Sequence, residues 1–116
     1  MEFSEKTIGD VTLITLNGDM LGGPDANELH NRLRELIASG QKKLVIDLAK
    51  VGYMNSSGLG MLTSALTTVR NANGDLRLAN PAERIKNLLI ITKLVQVFQT
   101  FNSVDAAIAS FSNVHK

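Results

Sequence analysis

Residues 51–63 read VGYMNSSGLGMLT: two serines and three glycines set between an apolar run and the first turn of an amphipathic pattern. Upstream, KKLVIDL (residues 42–48) is apolar on both faces except for Asp47, as expected of a central strand covered on both sides. Downstream, Leu59, Leu62, Leu66 and Val69 recur at helical spacing and mark a core-facing stripe. Asn55, Ser56 and Ser57 fall where that helix begins, so one of them caps it. Strand, short loop and helix in this order form the unit of an α/β fold.

The rest of the chain extends the same alternation. MEFSEKTI (1–8) and VTLITLN (11–17) flank Gly9 and Asp10, a two-residue hairpin turn. In the second strand Val11, Leu13 and Thr15 point one way, and Thr12, Ile14 and Leu16 the other. NGDMLGGPD (17–25) is punctuation. A first helix follows over ANELHNRLRELIASG, with Leu29, Leu33, Leu36 and Ile37 as its stripe, Asp25 as its expected cap and Gly40 at its left-handed end. NANGD (71–75) ends the second helix, and LRLAN (76–80) makes a short strand. NPAE (80–83) has the form of a helix start, with Asn80 as cap and Glu83 three residues on; Ile85, Leu88 and Leu89 continue it. LVQVFQTF (94–101) predicts an edge strand, and Ser103 caps a last helix with Val104, Ala107, Ile108 and Phe111 as its stripe. The order β-β-α-β-α-β-α-β-α implies parallel pairing through helical crossovers, made mixed by the opening hairpin.

Composition narrows the function. At 116 residues the chain is one domain, with 44% hydrophobic and 20% charged residues. Aromatics are 4% and Trp is absent, so the core is aliphatic. Twelve basic against 11 acidic side chains give a formal net charge of +1, with no clustered basic face of the kind nucleic-acid binding requires. There is no cysteine, which excludes disulfides and thiolate chemistry and fits a reducing cytosol. The N-terminal residues lack a signal-peptide core, and the longest apolar run, residues 88–91, is far short of the roughly 20 residues of a membrane span. A small cytoplasmic domain without membrane insertion is expected.

Catalytic readings of the motif fail on their partners. A serine nucleophile needs a base, usually His, oriented by a carboxylate. The two histidines are His30, on a polar-leaning face of the first helix, and His115, next to the last residue. Met54 and Gly58 flank the serines where G-x-S-x-G requires two glycines around one serine. Gly58-Leu59-Gly60 imitates half of a dinucleotide fingerprint, but Thr63 stands in place of its third glycine and no Walker lysine follows. The scattered acids show no metal-ligand spacing. No catalytic residue, metal or cofactor is expected. What remains is a helix start with unpaired, partly positive N–H groups, which tolerates a phosphate on a serine. The bland alternative is that the serines cap and the glycines allow close packing.

LVIDLAKVGYMNSSGLGMLTSAL (44–66) resembles the signature of STAS domains, in particular the bacterial anti-sigma factor antagonists. Their pattern is a strand ending in Asp-Leu, a short apolar loop, then Asp-Ser-Ser/Thr-Gly-Leu-Gly and a helix. The resemblance extends to the hairpin start, NGDM (17–20) and ANPAERIKNLL (79–89), and so covers the whole chain, 1–116, as one domain. It implies an α/β domain with a mixed four- to five-stranded sheet and about four helices.

It also implies a non-enzymatic binding module, monomeric or weakly dimeric. In the family the unphosphorylated antagonist binds an anti-sigma factor that is also a serine kinase and thereby frees the sigma factor. The kinase phosphorylates the first serine of the pair, which ends the complex, and a PP2C-type phosphatase resets it. Carried onto this chain, the phosphoacceptor is Ser56, with Ser57 second. Asn55, Ser56, Ser57 and Gly58 meet the partner, together with Asp19 and Met20 from the loop before the first helix. Gly58 would admit the partner's backbone, Leu59 would anchor the helix to the sheet, and Asp47 would support the loop. The sequence departs from the pattern twice. Asn55 replaces the usual acid, and DMLGGPDANEL (19–29) carries a proline and lacks the second acid many relatives have. A non-switching scaffold or transport-accessory subunit with structural serines is the alternative.

Overall fold

Turn chemistry sets the opening hairpin. β1 (Glu2–Ile8) and β2 (Val11–Asn17) pair antiparallel with Ile8 opposite Val11, leaving Gly9 and Asp10 as the turn. Of these two only Gly9 has a positive φ, 63°, as a type II′ turn requires. The computed structural model describes residues 1–112, so His115 lies outside the described residues. Among them the chain continues as α1 (Pro24–Ala38), β3 (Lys43–Lys50), α2 (Ser56–Asn71), β4 (Asp75–Ala79), α3 (Glu83–Ile91), a 3₁₀ turn at Leu94–Gln96, β5 (Thr100–Phe101) and α4 (Val104–Ser110). The five strands lie in the order β1-β2-β3-β4-β5, and every pair after the hairpin is parallel. The expected element order, mixed sheet and four helices are all present. No helix among the described residues is long and apolar enough to cross a membrane.

Strand alternation divides the core into two layers. Ile14, Leu16, Leu44, Ile46, Leu48, Leu76 and Leu78 project to one face, where the stripes of α1, α2 and α3 cover them. Val11, Val45 and Ala79 project to the other, under Ala107 and Phe111. Each fully buried Leu or Ile contributes about 1.5–3 kcal/mol, so the three-helix face supplies most of the apolar stabilisation. Arg77 interrupts the thinner face at 8% exposure. Its guanidinium lies 4.0 Å from the centre of the Phe111 ring and donates to Ser110 Oγ at 2.5 Å and Asp75 Oδ2 at 3.2 Å, which offsets the cost of burying it.

Helix ends follow the expected chemistry in part. Gly40, at φ 89°, closes α1 with Gln41 N–H donating to Leu36 O and Gly40 N–H to Ile37 O, both 2.9 Å, a Schellman arrangement. Ser103 caps α4, its Oγ accepting from Ala106 N at 3.0 Å. Asp25 does not cap α1. Pro24 has its φ preset and no N–H to satisfy, so the helix starts there, with Gly23 before it and Asp25 in the first turn. Nor does Asn80 cap α3. It takes a left-handed φ of 57° where β4 ends, its N–H donates to Phe101 O at 2.9 Å, and the helix begins three residues later behind Ala82.

The expected edge strand over 94–101 is mostly not a strand. Lys93 turns left-handed at φ 65°, the 3₁₀ turn follows, and Phe98 enters the core at 3% exposure. Only Thr100 and Phe101 pair with β4, because the chain is spent on placing that ring.

Three ion pairs brace the hairpin and α1. Arg32 on α1 binds Glu5 on β1, with Nη2 to Oε1 at 2.8 Å, and also Glu35 at 2.8 Å. Hydrogen bonding from that guanidinium holds the Glu5 carboxyl below its ordinary value. Lys43 Nζ bonds Asp10 Oδ2 at 2.7 Å and lowers the Asp10 pKa likewise.

Candidate functional site

The motif sits at the carboxyl ends of the parallel strands, where open α/β sheets place their sites. The pairing of β3 with β4 ends at Asp47, which faces the α4 side by parity yet serves the loops. Its Oδ1 accepts from Ala49 N at 3.0 Å and from Asn80 Nδ2 at 3.1 Å, tying the end of β3 to the end of β4. This supporting role is the one the sequence suggested. The chain then turns, with Val51 N–H donating to Leu48 O at 3.0 Å, and buries Val51 and Met54.

Next the loop is laced to the segment after β2. Met20 and Met54 form an isolated parallel bridge, in which Met20 N–H donates to Tyr53 O at 2.9 Å and Asn55 N–H to Met20 O at 3.2 Å.

Asn55 is the N-cap of α2. Its backbone is extended at φ −97° and ψ −175°, and its Oδ1 accepts from Gly58 N at 2.8 Å. Ser56 and Ser57 are therefore the first two helical residues, both exposed, and neither serves as the cap. The N–H groups of this first turn beyond the one Asn55 takes carry the partial positive charge of a helix start.

The two serines face different surroundings. Ser57 packs beside the β2–α1 loop: a β-carbon at Gly22 would fall 2.7 Å from Ser57 Cβ. Ser56 opens instead onto a groove of about 880 Å³ between the start of α2 and one face of α3.

Two residues expected at the partner surface serve the protein's own interior. Met20 has no exposed surface. Gly58 is buried, and a β-carbon there would stand 2.0 Å from Met20 O, so the backbone approach it permits is made by this chain and not by a partner. The physical reason is the Met20 bridge, which brings the β2–α1 segment against the first turn of α2. Asp19 is exposed beside this bridge, on the outer side. Leu59 is buried at 8% exposure in the three-helix core, the anchoring role expected of it.

The groove itself was not legible at the motif. Its lining includes Tyr53 and Leu59 on the motif side and Arg84, Asn87, Leu88 and Ile91 on α3. Tyr53 is 43% and Ile91 77% exposed, large apolar surfaces left in water. The run of four apolar residues at 88–91 was the available signal, since one helix face cannot bury four consecutive side chains.

The groove offers apolar surface with a few polar side chains at its rim. Neither His nor carboxylate hydrogen-bonds the Ser56 hydroxyl among the described residues, and His30 lies between α1 and α2 beside Met61 and Ser64. Among the described residues no group of three or more His, Asp or Glu is placed to hold a metal. The half-fingerprint at Gly58 and Gly60 has its first N–H taken by Asn55, while Gly60 is exposed with open space around it.

Comparison with known proteins gives the same architecture. The chain is 24% identical over 111 residues to a putative anti-sigma factor antagonist, BtrV, of Bordetella bronchiseptica, covering 96% of this chain and 95% of that one. Its fold is similar to a sulfate transporter family protein of Wolinella succinogenes, with TM-score 0.79 at 18% identity over 90% of this chain and 87% of that one. It is also similar to the Bacillus cell fate determinant SpoIIAA in its phosphorylated form, with TM-score 0.74 at 16% identity over 95% and 99%. Residues 2–107, from the hairpin through the first half of α4, match the STAS domain family, and the chain belongs to it.

Proposed function

We propose that this protein is an anti-sigma factor antagonist acting as a phospho-switched binding module in the cytoplasm. Its unmodified form binds an anti-sigma factor that is also a serine kinase, and the sigma factor is released. The hydroxyl of Ser56 then accepts the γ-phosphoryl group of the kinase's ATP, leaving ADP, and the complex dissociates. A PP2C-type phosphatase restores the hydroxyl. The chain is a binding partner and phosphoacceptor rather than an enzyme, and it needs no cofactor.

One observation carries this reading: Ser56 is the exposed first residue of α2 on the lip of an apolar groove, inside the family's strand–loop–helix motif. A phosphate there adds about −1.5 to −2 charge, which the free N–H groups of its own helix accommodate. A partner seated over the groove meets the same charge as desolvation cost and bulk. Asn55 supports the switch, since it caps as well as Asp does and places no carboxylate next to the phosphate. The relationship to a putative anti-sigma factor antagonist across nearly the whole chain supports the partner class.

Incubation with a candidate kinase and ATP should place one phosphate on Ser56. Ser56→Asp should weaken binding to the anti-sigma factor at least tenfold, about 1.4 kcal/mol, while Ser56→Ala binds and cannot be switched. Equal affinities for wild type and Ser56→Asp would sink the proposal. The fold is shared with a sulfate transporter family protein, which favours a second reading as a non-switching scaffold or transport-accessory subunit. Size-exclusion chromatography separates the two: a switch module elutes as monomer or weak dimer, a scaffold as a large assembly.

A further inference from the structure

The groove beside Ser56 contains one charged side chain. Arg84, in the first turn of α3, lines it together with Ser56, and no carboxylate is among the lining residues. Arg84 is exposed and makes neither an ion pair nor a hydrogen bond among the described residues. The contrast with the other arginines is direct. Arg32, Arg70 and Arg77 are each held by carboxylates. Arg34, which like Arg84 has no partner among the described residues, lies on α1 and lines no part of the groove. Helix stability does not account for the position either, because a cation in a first turn faces the positive end of the macrodipole. One turn further along α3, on the same wall, the Asn87 amide also makes no hydrogen bond among the described residues.

We propose that Arg84 receives the phosphate of phosphorylated Ser56, so that the modified groove is closed from within by a phosphoserine–arginine pair. This rests on Ser56 being the modified residue. The guanidinium presents a planar fork of N–H donors that matches phosphate oxygens two at a time. Having no partner among the described residues, it is available, and Asn87 adds a second donor. The apolar floor of Leu59 and Leu88 lies close to the pair and strengthens it relative to open water. Phosphorylation then does more than add charge at the lip. It draws a side chain across the apolar surface that a partner would cover, and the switch acts even on a partner that does not touch Ser56.

The test installs phosphoserine at position 56 of the full chain during translation, by suppression of an engineered stop codon, and follows its ³¹P resonance against pH. Phosphoserine loses its second proton near pH 6. In the wild-type background that pKa should lie below that of Arg84→Gln by about 0.5–1 at low salt, with the gap narrowing as salt rises. Arg84→Lys should fall between them, keeping the charge without the fork. Arg34→Gln should titrate like the wild type. Identical titrations for wild type and Arg84→Gln would overturn the proposal, as would an equal displacement by Arg34→Gln, which would indicate only the general field. Because no kinase is involved, this titration is independent of the kinase assay on Ser56: a clamp that fails leaves the functional reading standing, and a kinase that ignores Ser56 fails that reading whatever the titration shows.

Discussion

The two ends of the parallel strands are built on opposite principles. At the amino end, charges are tied off: Lys43 to Asp10 at 2.7 Å, Arg70 to Asp75 at 3.2 Å, and Arg77 to Asp75, Ser110 and the Phe111 ring. At the carboxyl end the hydrogen bonds run inward, through Asn55, Asp47 and the Met20 bridge. There the outward groups Ser56, Tyr53, Arg84 and Asn87 have no partners among the described residues, and apolar surface stands in water at Ile91. One end spends its polar chemistry on holding the domain together. The other braces its backbone and leaves its side chains for something else. Side-chain ion pairing and unpartnered polar surface thus occupy opposite ends of the parallel strands.

Two glycines offer the sharpest way to break that comparison. Gly58 lets the Met20 carbonyl approach at the carboxyl end, and Gly74 lets the Lys42 carbonyl approach at the amino end, where a β-carbon would stand 2.4 Å away. Gly58→Ala should cost about 3 kcal/mol in urea unfolding, even after the gain of about 1 kcal/mol that alanine brings to a helix, because a backbone oxygen must move. It should also impair anti-sigma factor binding. Gly74→Ala should cost about 2 kcal/mol and leave the affinity of the folded fraction unchanged. If Gly74→Ala altered binding as much as Gly58→Ala, the two ends would not be independent.

A smaller effect belongs to the cap. Asn55→Ala removes the bond to Gly58 N and should lower stability by about 1 kcal/mol. Asn55→Asp should match the wild type or exceed it by up to about 1 kcal/mol, since a carboxylate suits a helix start. A large loss on Asn55→Asp would mean that the side chain does more than cap.

The smallest effect concerns the tied-off charges. Glu5 has its pKa lowered by Arg32, so its contribution is present above its unfolded value near 4.5 and is lost as pH falls through the folded one. Glu5→Gln should cost about 0.5 kcal/mol at pH 7, a value discounted for its solvent exposure, and progressively less as pH falls through the lowered folded pKa. The unfolding free energy of that variant should therefore depend less on pH below 5 than the wild type's. The groove lining contains no carboxylate, so its amide protection should hold over the range where the ion pairs are lost. Acid loosening that began at the groove would reverse the comparison.

Much of this was legible along the chain. Alternating apolar residues in β2, β3 and β4 and the stripes of α1, α2 and α4 specify faces through periods of two and 3.6, which depend on neighbours in sequence alone. The capping of α4 by Ser103 is equally local. Other features depended on distant chain. Asn80 looked like a cap until Phe101 took its N–H and Asp47 its side chain. Residues 94–101 looked like a strand until the core required the Phe98 ring.

The site divides the same way. Sequence by itself determined that a helix starts at the serine pair and that Asn55 is among its capping candidates, because capping is a local property. Tertiary structure alone decided which serine opens on the groove: Ser56 lines it beside α3, while Ser57 packs against Gly22. It alone buried Met20 and Gly58 against one another, and it alone brought Arg84 into the lining of the groove that Ser56 also lines. Each of these is a contact between segments far apart in the chain, fixed only when α3 and the β2–α1 loop pack against the start of α2.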